Sequence, residues 1–328
     1  MKRLFAALLA LSMILSLTLL SSCSGGKAKM GLGIVSAVTS LDADGDSDGK
    51  VDTAYTFAAV LLDAKGKIQN VKIDAIDVSV SFDSKGAVST AEEFKTKNEL
   101  GSDYGMVAYG KATKEWFEQA DVFAEACKGK TLDEVKGLAA ANGEAGEALV
   151  KAGCTINVAD FVKAVEKAVA GAKESTASVK SELSIGVVAK QSSRKDATEE
   201  GSGVAEITTN VSAVAKNGDK VAASLIECVV SNSGIDEKGA VTGTKETYKY
   251  ELGKEYKMSE FGQDANGDGT VKEYFEQIDA LTSAMNGKTA SEIEALAVSG
   301  GYGNSDVQAS GCTINIGDLI SATVKAAK

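Results

Sequence analysis

The chain contains two copies of one pattern, so whatever it folds into must be built twice. Leu100, Gly101, Tyr104 and Met106 return as Leu252, Gly253, Tyr256 and Met258. Lys114, Glu115, Trp116, Phe117, Glu118 and Gln119 return as Lys272, Glu273, Tyr274, Phe275, Glu276 and Gln277. The segments Gly129 to Thr131 and Gly153 to Asn157 return as Gly287 to Thr289 and Gly311 to Asn315. Thr131 and Thr289 stand 158 positions apart, as do Thr155 and Thr313. Two copies of this length are tandem domains, not a solenoid.

Each copy opens with strand signals. Tyr55, Phe57, Ala59 and Leu61 alternate with other residues, a turn through Gly66 follows, and Ile68 to Phe82 returns, which predicts a hairpin. In the second copy, Val204 to Val214 and Val221 to Val230 flank the turn pair Asn217 and Gly218. Helical periodicity comes later. Phe117, Ala120, Phe123, Ala124 and Cys127 share one face, as do Phe275, Ile278, Leu281 and Met285, and Gly129 and Gly287 stop the two helices. Thr131 with Glu134, and Thr289 with Glu292, have capping-box spacing. Asn157 with Asp160, and Asn315 with Asp318, are the expected N-caps of each final helix. Strands before helices predict α+β domains, each an antiparallel sheet packed on helices. The expected boundaries are 32–173 and 179–328, with the join near 172–182.

Ahead of the repeat, Lys2 and Arg3 precede an apolar run from Leu4 to Leu20, which ends in Ser21, Ser22 and Cys23. A run of about 17 residues is at the short limit for a spanning helix. The basic, apolar and small-residue order is that of a signal peptide. Leu20 to Cys23 resembles the lipobox of bacterial lipoproteins, which implies cleavage after residue 22, lipid on Cys23 and a tether over 23–31. The expected location is the extracellular face of the cell membrane, held there by the lipid anchor.

Composition removes several functions. The net charge of −11 argues against nucleic acid, whose binding needs phosphate neutralisation by Lys and Arg. Histidine is absent, which excludes Ser-His-Asp and Cys-His catalysis and His-ligated zinc. Only Cys154 and Cys312 occupy matching places, so a disulfide framework is not expected; Cys127 and Cys228 read as small buried hydrophobes. Asp42, Asp44, Asp46 and Asp48, and Asp264, Asn266 and Asp268, have the early spacing of a calcium loop. Tyr55 and Phe275 stand where its bidentate glutamate belongs, so both read as solvated turns.

The candidate site is Thr155 and Thr313. Each follows Gly-Cys and precedes an expected helix N-terminus, whose unsatisfied N–H groups favour a phosphate. Gly153 and Gly311 would let a bulky partner approach the backbone. By itself, Gly-Cys-Thr also fits a plain turn before a helix. Ser310 to Ile314 is similar to the Ser/Thr-Gly-Ala-Thr signature of FMN-binding domains, with cysteine replacing alanine and Ala152 standing for serine in the first copy. Together with the other repeated segments and the lipobox, the chain resembles the flavinylated lipoproteins of Gram-positive extracellular electron transfer. That resemblance implies two covalent FMN groups, placed on the threonines by a flavin transferase. It also implies a membrane electron donor and an extracellular acceptor such as ferric iron or free flavin. Trp116, Tyr104, Tyr256 and Tyr274 read as core residues rather than ring-stacking partners. The expected function is electron carriage without a catalytic constellation. Its rival is a solute-binding or adhesion lipoprotein without cofactor.

Overall fold

The computed structural model describes residues 26–91, 93–262 and 271–328; the expected signal peptide, Cys23 and the second acidic loop lie outside them. The first half runs through β1 (Lys27–Leu41), β2 (Gly49–Leu62), β3 (Ile68–Phe82), α1 (Lys97–Leu100), α2 (Trp116–Cys127), α3 (Leu132–Lys136), α4 (Glu147–Ala152) and α5 (Ala159–Ala170). After β4 (Lys173–Ser178) come β5 (Glu182–Lys195), β6 (Gly203–Asn217), β7 (Lys220–Ile235) and β8 (Val241–Tyr248). The second set of helices is α6 (Met258–Phe261), α7 (Tyr274–Met285), α8 (Ala290–Glu294), α9 (Ser305–Ala309) and α10 (Gly317–Ala327). The architecture is α+β, with two four-stranded antiparallel sheets ordered β3-β2-β1-β4 and β5-β6-β7-β8. Among the described residues, no helix is long and apolar enough to cross a membrane.

The expected hairpins form, with one shift. Asn217 pairs with Lys220, so the second turn is centred on Gly218 and Asp219, and only Gly218 takes a positive φ, of 64°. The periodicity of β1 and β5 was concealed by glycines that helices require. A side chain at Gly33 would strike the carbonyl of Ala164 on α5, and one at Gly186 would strike that of Ala322 on α10. Each glycine lets a helix backbone lie directly on the strand. Residues 27–31, expected as tether, are therefore the start of β1. The expected join is structured too: β4 pairs with β1, bringing Lys29 opposite Glu174.

Each half wraps a core of its own between sheet and helices, and the two halves share a further core between the sheets. The outer face of each sheet carries helices: Val60, Ile73 and Ala75 pack on α2 and α5, and Val221, Ile226 and Cys228 pack on α7 and α10. The inner faces meet each other, with Phe57, Ile76 and Val78 of the first sheet against Val187, Ile207, Val211 and Val229 of the second. Beside them, Met30, Ala59 and Leu61 meet Ala213, Ala215 and Ala223. The molecule thus has four layers, helix on sheet on sheet on helix.

Contacts across the central plane come in exchanged pairs, as a two-fold relation requires. Lys167 pairs with Glu251 at 3.3 Å, and its counterpart Lys325 pairs with Glu99, the counterpart of Glu251, at 2.6 Å. Ala43 N–H donates to the Gly239 carbonyl, and Ala197 N–H to the Gly86 carbonyl. The first acidic loop is solvated as expected, with its four aspartates exposed, and Asp42 also reaches across the contact, its carboxylate accepting Val241 N–H at 2.9 Å.

A shared core predicts one unfolding transition. Phe57 is fully buried between the sheets. Phe57→Ala should cost about 3–5 kcal/mol and lower the denaturation midpoint of both halves together. Separate transitions, followed by Trp116 fluorescence for the first half and amide exchange for the second, would refute the shared core.

Candidate functional site

Thr155 and Thr313 lie in matching loops, between α4 and α5 and between α9 and α10. Gly153 and Gly311 end the preceding helical turns with φ of 96° and 97°, a conformation that favours glycine. The residues that follow are Cys154 and Cys312, fully buried. That inward cysteine turns the next side chain outward, leaving Thr155 exposed and Thr313 half-buried. Burial pushes the Cys312 thiol up to about 11 and raises that of Cys154. All four described cysteines are free and buried.

The expected helix-mouth contact is replaced by a different one. Val158 and Ile316, not the asparagines, occupy the N-cap positions. The asparagines stand one residue earlier and still serve the helix: Asn157 Oδ1 accepts Ala159 N–H at 2.9 Å and Asn315 Oδ1 accepts Gly317 N–H at 3.1 Å. The threonines instead meet a neighbouring helix. Gln119 Oε1 on α2 accepts Thr155 N–H at 2.8 Å and its hydroxyl at 3.3 Å. Gln277 Oε1 on α7 accepts Thr313 N–H at 2.8 Å and its hydroxyl at 3.2 Å. Each glutamine is buried, and its Nε2 donates to the carbonyl of Lys114 or Lys272, which holds the oxygen toward the threonine.

Those lysines complete the site. Lys114 Nζ donates to the Ala152 carbonyl and Lys272 Nζ to the Ser310 carbonyl, each at 3.0 Å. The space expected for a partner beside Gly153 is crossed by this ammonium, which would lie 2.9 Å from a Cβ placed there. Gly311 stands in the same relation to Lys272. Each copy thus joins a solvent-reaching hydroxyl, a cation and a backbone turn whose positive φ favours glycine.

Two carboxylates strap the Leu-Gly-x-x-Tyr-x-Met segment beside each site. At its near end Glu115 accepts the N–H groups of Met106 and Val107, and Glu273 accepts those of Met258 and Ser259. At its far end the buried Asp74 accepts Asn98 N–H, and the buried Glu227 accepts those of Tyr250 and Glu251. Trp116 and Tyr274 are core residues, as expected, while Tyr109 and Phe261 stand out at 88% and 80% exposure on the strapped segments. Among the described residues, no cluster of three or more acidic or cysteine side chains is placed to hold a metal.

Fold and site together define an internally duplicated α+β protein with two equivalent threonine loops. No family model matches the chain, and no solved structure does. A chlorophenol reductase of Desulfitobacterium hafniense is similar in part, 34% identical over 95 residues that make up 25% of this chain and 29% of that protein. The match therefore covers less than a third of that relative's length.

The buried straps give stability a defined pH dependence. Burial raises Asp74 to about 6 and Glu227 to about 7, against 3.8 and 4.5 for the free groups. Between the free and folded values the folded state binds more protons, so their contribution is full at the acid end and falls as pH rises through the folded values. The chain has no histidine to titrate in the same window. The urea midpoint should fall from about pH 5 to about pH 7.5, and Glu227→Gln should flatten the upper part of that slope. A profile identical to the parent's would clear Glu227 of this role.

Proposed function

We propose that the chain is a surface-anchored electron carrier in which Thr155 and Thr313 each hold FMN through a phosphoester. The observation that carries this reading is that the same hydroxyl, glutamine, lysine and glycine occur in the same geometry twice, each time at a loop open to solvent. Those residues fit the group. A phosphoester needs an accessible hydroxyl, and its negative charge is favoured by a neighbouring ammonium. Gln119 and Gln277 fix the threonine backbones, and Lys114 and Lys272 supply the cations. When attached, the flavin supplies the redox chemistry; the protein holds it and sets its electrostatic surroundings. The resemblance to flavinylated lipoproteins adds the rest of the proposal: a flavin transferase as modifying partner, lipid on Cys23, a membrane donor, and ferric iron or free flavin as acceptor. Covalent attachment keeps a cofactor outside the cell at high effective concentration.

Peptide mapping after co-expression with a flavin transferase should find flavin on both threonines, and Thr155→Val or Thr313→Val should each remove one. Flavin on neither threonine would overturn the proposal. Gln277→Leu, which removes the acceptor for the Thr313 N–H and hydroxyl, should slow attachment at Thr313 by about fivefold or more, at roughly 1 kcal/mol for each hydrogen bond lost, and leave Thr155 unaffected. Cys23→Ala should release the chain from membranes. Retention of that variant would remove the anchor.

A further inference from the structure

The duplication supplies an internal control for a cavity outside the threonine loops. Where the two halves meet beside β7, a cavity of about 550 Å³ opens between the second half's sheet and α7 on one side and β1 and α5 of the first half on the other. The two-fold relation places a counterpart beside β3, and there the cavity is about 350 Å³. Four replacements accompany the difference. Lys72, which closes the smaller cavity by pairing with Asp121 at 3.0 Å, corresponds to Leu225 in the larger. Asp279, the counterpart of Asp121, accepts the Tyr250 hydroxyl at 2.7 Å instead. Thr96 and Asn98 correspond to Tyr248 and Tyr250, and Val71 corresponds to Ser224. The second half has thus exchanged a closing ion pair for space and aromatic walls.

The polar groups around this space are unevenly committed. The acceptors are taken: the Glu227 carboxylate receives three backbone N–H groups, Asp279 receives Tyr250, and Glu251 pairs with Lys167. Donors are left over. Ser224, 7% exposed, has no hydrogen-bond partner for its Oγ. Lys173 gives one N–H to the Tyr250 hydroxyl at 2.7 Å and has two more to give. A molecule that completes this site brings acceptors, and walls that include Tyr248, Tyr250 and Phe275, with Lys167 and Lys173 over one face of the two tyrosine rings, favour an aromatic body. The volume lies within the range of small-molecule sites.

We propose that this cavity binds a planar aromatic molecule bearing carbonyl acceptors, the chemistry shared by quinones and free isoalloxazines. The site is separate from the threonine loops and does not depend on their modification. The test uses the full chain carrying Thr155→Val and Thr313→Val, so that no attached flavin contributes, titrated with riboflavin and with a sulfonated naphthoquinone by equilibrium dialysis. Saturable binding of one molecule per chain is expected for at least one of them, and which one binds identifies the source. Leu225→Lys restores the first half's closing residue and should weaken binding at least tenfold. Ser224→Val, which installs the first half's residue, should weaken it severalfold if the lysine variant does not fold. Absence of saturable binding by both rings, or binding unchanged in a folded variant of either kind, would overturn the site while leaving the threonine proposal untouched.

Discussion

Everything in this molecule depends on the contact between the inner faces of its two sheets. Each sheet could have left that face to solvent, as antiparallel sheets often do. Here the inner face of β2 carries Tyr55 and Phe57, both essentially buried in a cluster that Val187, Ile207, Val211 and Val229 of the other half complete. The exchanged pairs Lys167–Glu251 and Lys325–Glu99 sit at the margin and are partly exposed. Exposed pairs of that kind contribute about 0–1 kcal/mol each, whereas burying one large apolar side chain contributes about 1.5–3 kcal/mol. Apolar burial therefore holds the halves together, and the ion pairs fix which residue faces which. The glycine strands serve the same end from the other side, letting α5 and α10 settle on the sheets closely enough for two helix layers to close the outer cores.

The site is built from that scaffold outward. A fully buried cysteine turns each threonine toward solvent, and a buried glutamine then fixes its backbone. The glutamine is fixed in turn by the carbonyl of the lysine two residues before the helix, and the same lysine's ammonium lies over the glycine. One short segment, Lys-Glu-aromatic-Phe-Glu-Gln, thus provides the cation, the strap and the positioning amide together.

Much of this was legible in the sequence, for identifiable reasons. The duplication, the Thr131 and Thr289 capping boxes and the helices starting at Trp116 and Tyr274 follow local rules of spacing and chemistry. The role of Gln119 was not read, although a signal existed: a polar residue on an apolar helix face, one turn before Phe123, retained in both copies. What could not be read was non-local. The strand β1 hides behind glycines whose reason is a helix more than a hundred residues away, and β4 looks like a linker until β1 offers it an edge. The asparagine caps fell one residue short because spacing alone does not distinguish a cap from the residue before it.

The four-layer order has one more consequence. The threonine loops belong to the two helix layers, which cover opposite faces of the paired sheets and approach each other only at the margins. Each half thus carries its own threonine loop in its own helix layer, with its own glutamine and lysine. Duplication with face-to-face packing has made a body with two self-contained loops rather than one doubled site.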